Sequence, residues 1–160
     1  MLIGIISDTH DNMNMLKKAV DLFNQRGVGL VLHAGDYIAP FTARELRRLK
    51  CKLVGVFGNN DGDKFMLTKQ FEGFGQLFDG LHQLEVDGKM IAMTHYPNIA
   101  ETLASRGAYD VVIYGHTHRA EIREPKPLVI NPGECGGWLE GTSTVAFLDL
   151  AAMRVDLVRL

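Results

Sequence analysis

Short apolar runs that stop abruptly at aspartate, histidine or asparagine constrain this chain more than any other feature. Leu2–Ile6 runs into Ser7-Asp8-Thr9-His10, and Val28–Leu32 into His33-Ala34-Gly35-Asp36. Leu53–Phe57 is followed by Gly58-Asn59-Asn60-Asp61, Met90–Thr94 by His95, and Val111–Tyr114 by Gly115-His116-Thr117-His118. Runs of this length read as β-strands, and the early ones, almost wholly apolar, as strands covered on both faces. Leu128–Ile130 and Thr144–Leu148 read the same way, with Val86 and the tail Val155–Leu160 as candidates for further strands.

Helices fit between the runs. Leu16, Ala19, Val20 and Phe23 recur at helical spacing after Asn12 or Asn14 as cap, and Gly27 follows as a stop. A second helix is expected after Pro40, with Leu46 and Leu49 inward and Arg44, Arg47, Arg48 and Lys50 outward. Asn98 and Glu101 resemble a capping box opening a helix that ends at Gly107. The first half thus alternates strand and helix, and the second is richer in strands. That implies a layered α/β fold whose later strands form a second sheet or an antiparallel extension. Phe65 to Phe78, with Gly73 and Gly75 inside it, reads as a short helix and loop near a pocket or as a contact surface.

Composition narrows the function classes. The chain has 160 residues, 46% of them apolar, enough for one domain spanning 1–160. With 17 basic against 19 acidic residues the net charge is −2, which offers no electrostatic signal for nucleic acid. No apolar run approaches the ~18–20 residues of a membrane span or resembles a secretory leader. Cys51 and Cys135 suggest neither a disulfide framework nor a C-x-x-C site. A cytoplasmic protein is expected.

The polar residues at the strand ends then carry the chemistry. In open α/β sheets ligands bind outside the carboxyl ends of the strands. If the backbone there is extended, Asp8 with His10 and His116 with His118 each present two groups on one side. Gly35, Gly58 and Gly115 let the chain turn beside a crowded centre. Carboxylate, imidazole and amide donors without thiolate suit Mn, Fe, Co, Ni or Zn, and Mg less well. Asp8, His10, Asp36, Asn59, His95, His116 and His118 are more donors than one ion needs, and two ions sharing a carboxylate account for them. No G-x-S-x-G elbow or cysteine nucleophile competes with this reading.

Asp8-Thr9-His10, Gly35-Asp36, Gly58-Asn59-x-Asp61, Thr94-His95 and Gly115-His116-Thr117-His118 together resemble the ordered signature of the calcineurin-like metallophosphoesterase superfamily. The short length and Asn131-Pro132-Gly133 are similar to its small YfcE-like phosphodiesterase branch. The resemblance implies a four-layer sandwich, two mixed β-sheets flanked by helices. It implies Asp8, His10 and His118 on a first divalent transition metal, Asn59, His95 and His116 on a second, and Asp36 bridging both. Manganese is expected first, with Ni, Co, Fe or Zn as alternatives. It marks Asp36, Asn59 and His95 as catalytic and implies phosphoester hydrolysis by a metal-bridged hydroxide. The substrate class is a small phosphodiester or nucleotide-like molecule, and small relatives form dimers or tetramers. A phosphomonoesterase or nucleotide pyrophosphohydrolase could use the same centre. A protein-binding scaffold like the related retromer subunit is the alternative from another class.

The chain departs from the family pattern in two places. Asn60 stands where many members carry a histidine acid, and Tyr96-Pro97 follows His95 where many carry glycine. The first implies dependence on good leaving groups, the second an aromatic or narrower mouth. Position 39 is alanine, so the tyrosine ligand of purple acid phosphatases is not expected. His33 reads as a packed residue, His82 as a loop residue and Asp61 as a turn or supporting residue. Asn131-Pro132-Gly133 reads equally as a loop at the site or a generic turn. Arg119 reads as solvated more than as a phosphate ligand. Trp138, between Gly136-Gly137 and Gly141, marks a pocket rim or interface, or packs partly buried.

Overall fold

In a computed structural model describing residues 1–160, the strand runs build two sheets whose side chains alternate between layers. Strands β1 (Leu2–Ile6), β2 (Leu30–His33), β3 (Lys52–Val56) and β4 (Gly75–Phe78) lie parallel and adjacent. Two antiparallel strands, β10 (Thr144–Asp149) and β11 (Arg154–Arg159), extend that sheet beyond β1. The second sheet has a parallel centre of β6 (Lys89–Thr94), β7 (Val111–Ile113) and β9 (Leu128–Asn131). It is edged by antiparallel β5 (Leu81–Val86) and β8 (Glu121–Arg123).

Period-two alternation sorts these side chains into layers. Ile3, Ile5, Leu32, Val56, Ala146 and Leu148 of the first sheet meet Ile91, Met93, Val111, Ile113, Leu128 and Ile130 of the second. Ile6, Val31, Leu53, Val145 and Phe147 face the other way, onto helices α1 (Met13–Arg26), α2 (Ala43–Leu46) and α3 (Lys64–Phe71). Ala92, Val112 and Val129 face outward from the second sheet onto α4 (Pro97–Ser105). The result is four layers, helix–sheet–sheet–helix, the sandwich implied by the resemblance.

Local signals explain most boundaries. Asn12 caps α1 by accepting from Met15 N, and Gly27 ends it at φ 65°. After Pro40 a 3-10 turn, Pro40–Thr42, leads into α2, with Leu46 and Leu49 buried and the basic residues outward. The Asn98–Glu101 box does not form: Pro97 occupies the first turn, so α4 starts two residues earlier, with Tyr96 as an N-cap that makes no side-chain bond. Phe65 to Phe78 holds a strand, β4, as well as the expected short helix. His82 lies in β5, stacked on Phe78 with ring centroids 3.6 Å apart, and not in a loop. In β11, Val155 packs with the inter-sheet layer and Val158 with the helix side, as strand alternation requires of residues three apart.

Gly4 shows how tightly β1 and α1 close. A Cβ there would lie 2.7 Å from the ring of Phe23, itself fully buried and edge-on to Phe147 at 5.4 Å. Overpacking of this kind costs about 1–3 kcal/mol. Gly4→Ala is therefore expected to lower the urea midpoint accordingly with the slope unchanged, and an unaltered midpoint would show that Phe23 has room to move.

Candidate metal centre

The parallel strands of both sheets end at one rim. Asp8 and His10 follow β1, Asp36 follows β2 and Asn59 follows β3, while His95 follows β6, and His116 and His118 follow β7. The backbone that carries them is not extended, contrary to the sequence expectation. Asp8 (φ 53°), His10 (41°), Asp36 (61°), His116 (71°) and His118 (61°) are left-handed. Aspartate and histidine tolerate this region better than branched residues, at about 1–3 kcal/mol each. Tight turns replace the alternation argument. Asp8 and His10 still converge, but His116 and His118 diverge, His116 toward Asn59 and His118 toward Asp8.

Backbone pairing between loops holds the turns in place. Asp8 N donates to Gly35 O at 3.0 Å, and Thr9 N and His10 N both donate to Asp36 O at 3.0 and 3.1 Å. Two glycines are required by close approach. A Cβ on Gly58 would overlap the Asp36 carboxylate, and one on Gly115 would overlap Ser7 Oγ and lie 2.8 Å from Asp8 Oδ2.

The side chains form two linked groups. Asp8, His10 and His118 bring one donor atom each within 4.8 Å of one another, and so do Asp8, Asp36 and His95. His118 Nε2 lies 3.4 Å and His10 Nε2 3.7 Å from Asp8 Oδ1. Asp36 Oδ2 sits midway, 3.5 Å from both His10 Nε2 and His95 Nε2. Asn59 Oδ1 lies 3.0 Å from His95 Nε2 and 2.8 Å from His116 Nδ1. All seven donors foreseen in the sequence are thus gathered.

Two of these donors lack the partners that a buried polar group requires. Asp8 Oδ1 and His10 Nε2 are buried without a hydrogen bond. His95 Nδ1 donates to Ala34 O at 2.8 Å, so in the neutral ring Nε2 is a bare lone pair. It faces another acceptor, Asn59 Oδ1, and His116 Nδ1 lies 3.3 Å away. Converging acceptors with nothing between them repel, and a cation resolves the conflict. The donor set therefore fits divalent metal. Burial opposes the Asp8 charge, but the contacts with His10 and Ser7 outweigh it and hold the carboxyl below its usual range. The Asp8 carboxylate in turn raises His10, against burial.

Other residues hold the donors. Asp61 accepts backbone N–H bonds from Asp36, Tyr37, Ile38 and Gly58 at 2.7–3.0 Å, tying the β2 and β3 loops together. Burial raises its pKa against those bonds. Asn60 donates to both oxygens of Asp36, from its backbone N at 2.9 Å and its Nδ2 at 2.7 Å. His33 is packed, stacked on Tyr37 at 3.8 Å, and burial lowers its pKa to about 3. Asn131 belongs to the site: its Nδ2 donates to Gly115 O and Thr117 Oγ1, both at 3.0 Å, bracing the His116–His118 turn. Tyr96 meets His95 edge-on at 5.3 Å. Arg119 is 81% exposed and reaches Glu140 at 3.4 Å, the solvated reading.

Glu134 escaped the sequence reading. It is fully buried, with Oε1 3.3 Å from His118 Nδ1, and accepts N–H bonds from Trp138, Leu139 and Glu140. The available signal was an acidic residue directly after Asn131-Pro132-Gly133 at the end of β9.

Residues 1–153 match the calcineurin-like phosphoesterase superfamily domain. A phosphodiesterase of Methanocaldococcus jannaschii is 38% identical over 154 residues, spanning 93% of this chain and 93% of its own. A solved archaeal phosphodiesterase superposes over 100% of both chains with a TM-score of 0.95 at 36% identity. YfcE, a phosphoesterase from E. coli, shares the fold at a TM-score of 0.68 and 20% identity, over 99% of this chain and 98% of its own. On its sequence match and its relatives, the chain belongs to the calcineurin-like phosphoesterase superfamily.

Proposed function

We propose that the chain is a metal-dependent phosphodiesterase acting on small phosphodiesters. Asp8, His10 and His118 would hold one divalent transition-metal ion and Asn59, His95 and His116 a second, with Asp36 available to both groups. Manganese is the expected metal, with Ni, Co, Fe or Zn compatible with the same nitrogen and oxygen donors. The observation that carries the reading is the pair of buried polar atoms without a partner, Asp8 Oδ1 and His10 Nε2, with His95 Nε2 turned toward Asn59 Oδ1 beside them. A pair of such ions, when bound, supplies Lewis acidity toward a phosphoryl oxygen and activates water as nucleophile.

The chain's own residues do the positioning. Asn60 and Asp61 hold Asp36 in one orientation, Asn60 through its carboxylate and Asp61 through its backbone. Ala34 O fixes the His95 tautomer, with Nδ1 protonated and Nε2 turned into the centre. Because the Asn60 amide is engaged with Asp36 and has no titrating proton, it offers no general acid to the leaving group. A scaffold without turnover has no use for seven converging donors, five of them held in left-handed turns, so the enzyme reading is preferred. No helix is long and apolar enough to cross a membrane. The unpaired Cys51 and Cys135 fit a reducing, cytoplasmic setting.

Hydrolysis of bis-p-nitrophenyl phosphate by chelator-stripped protein should require added Mn²⁺. Titration calorimetry should find about two ions per chain. Asp36→Asn should reduce turnover by more than about hundredfold and disturb metal loading; turnover that survives both chelation and this substitution would refute the centre. Glu134→Gln should weaken metal binding by about 10- to 100-fold, as loss of an orienting partner does, and unaltered affinity would leave Glu134 a purely structural residue. Asn60→His should raise the rate on an alkyl leaving group relative to p-nitrophenol, and a constant ratio would count against the missing-acid explanation.

A further inference from the structure

The chain's one tryptophan, Trp138, is 64% exposed, beside Leu139 at 74%. Exposed apolar side chains standing singly are ordinary on protein surfaces. Trp138 differs in how firmly it is fastened, and to what. Its backbone N donates to the buried Glu134 carboxylate at 2.7 Å, as do the next two backbone N–H groups. That carboxylate touches the candidate metal ligand His118. Its indole Nε1 donates to the backbone carbonyl of His10, another candidate ligand, at 3.0 Å. The preceding Gly136 N donates to Asp8 O at 2.9 Å, and Asn12 Nδ2 donates to Gly136 O at 2.7 Å. A Cβ on Gly136 would lie 3.0 Å from Thr9 O and 3.1 Å from the indole, so the loop lies flush against the Asp8–His10 turn.

The indole is therefore pinned by its one polar atom to the rim of the centre, and what it offers solvent is apolar ring surface. A preorganised aromatic loses little side-chain freedom when a flat group covers it. We propose that Trp138 is a specificity-determining residue, a stacking platform for a planar aromatic group esterified to the scissile phosphate. The substrate class that fits is nucleoside phosphodiesters and their aryl analogues. This inference rests on the phosphodiesterase reading above. It assigns the aromatic substituent to the His10 side of the centre, across from Tyr96, which borders His95 and His116.

Because the chain has a single tryptophan, its fluorescence reports this residue alone. Titration of Zn²⁺-loaded protein with adenosine monophosphate should change the emission saturably, and ribose 5-phosphate at equal concentration should not. In Mn²⁺-supported kinetics, Trp138→Ala should raise KM for bis-p-nitrophenyl phosphate by roughly 5- to 100-fold, the worth of one aromatic stack, with kcat nearly unchanged. Trp138→Phe, which keeps a ring but loses the N–H bond to His10 that holds it in place, should raise KM less than Trp138→Ala does. KM for a dialkyl phosphate should not move in either variant.

An equal fall in kcat on aryl and alkyl substrates, shared by Trp138→Phe, would overturn the inference and make the indole a prop for His10. Altered self-association in sedimentation with unchanged kinetics would overturn it too, making this face a contact between copies. An active wild type whose emission ignores adenosine monophosphate would refute stacking while leaving the hydrolytic reading intact. A wild type inactive with every metal, whose emission still responds only to the nucleotide, would sink the hydrolytic reading and support the aromatic platform.

Discussion

The apolar layer between the two sheets is the constraint on which the rest of the structure depends. Ile3, Ile5, Leu32 and Val56 on one side and Ile91, Met93, Val111, Ile113 and Ile130 on the other are all buried in it. Their burial stacks the sheets face to face at the usual spacing of about 10 Å. Four parallel strands of the first sheet and three of the second then finish at a common rim. The pairs that define the centre, Asp8 with His118 and Asp36 with His95, join residues from opposite sheets. Neither sheet alone could assemble them.

At that rim local rules are broken and compensated. Five of the donor residues take left-handed backbone, and the carboxylates of Asp8 and Asp36 are buried. The compensation is distributed in a similar way over both sheets. Asp61 gathers four backbone N–H groups behind Asp36, and Glu134 gathers three behind His118. Each is a buried carboxylate that spends its acceptor capacity on the backbone of a loop. That rigidity holds the donors apart against their mutual repulsion when no cation lies between them. Glu134 does more, since the loop it organises also carries Trp138 to the edge of the same centre.

Much of this was legible in the sequence because burial imposes a period on it. The covered strands β1, β2, β3, β6 and β7 stood out as apolar runs, and α1 as an amphipathic stripe closed by Asn12 and Gly27. The strands that escaped are those without such pressure. Glu121–Arg123 pairs only with β9 at the edge of the second sheet, with Ile122 exposed, and Gly75–Phe78 is only partly buried at an edge of the first. The Asn98 cap failed because Pro97, with its fixed φ and absent N–H, starts the helix first. His82 was misplaced because a half-buried edge strand next to Phe78 looks like a loop in a single sequence.

The seven donors were visible because each directly follows a strand, a relation that sequence order preserves. Asn60 was noticed as a missing acid, yet its actual contact, two hydrogen bonds to Asp36, joins residues that lie 24 apart in the chain. Glu134 touches His118 only because β9 lies beside β7. By itself, then, the sequence determined which residues end the strands and what chemistry they bring, since strand periodicity and side-chain type are local properties. Only the tertiary structure decided which donors share an ion, which carboxylates hold loops instead, and where the one indole points. Those relations depend on the stacking of two sheets and on left-handed turns, and neither leaves a periodic trace along the chain.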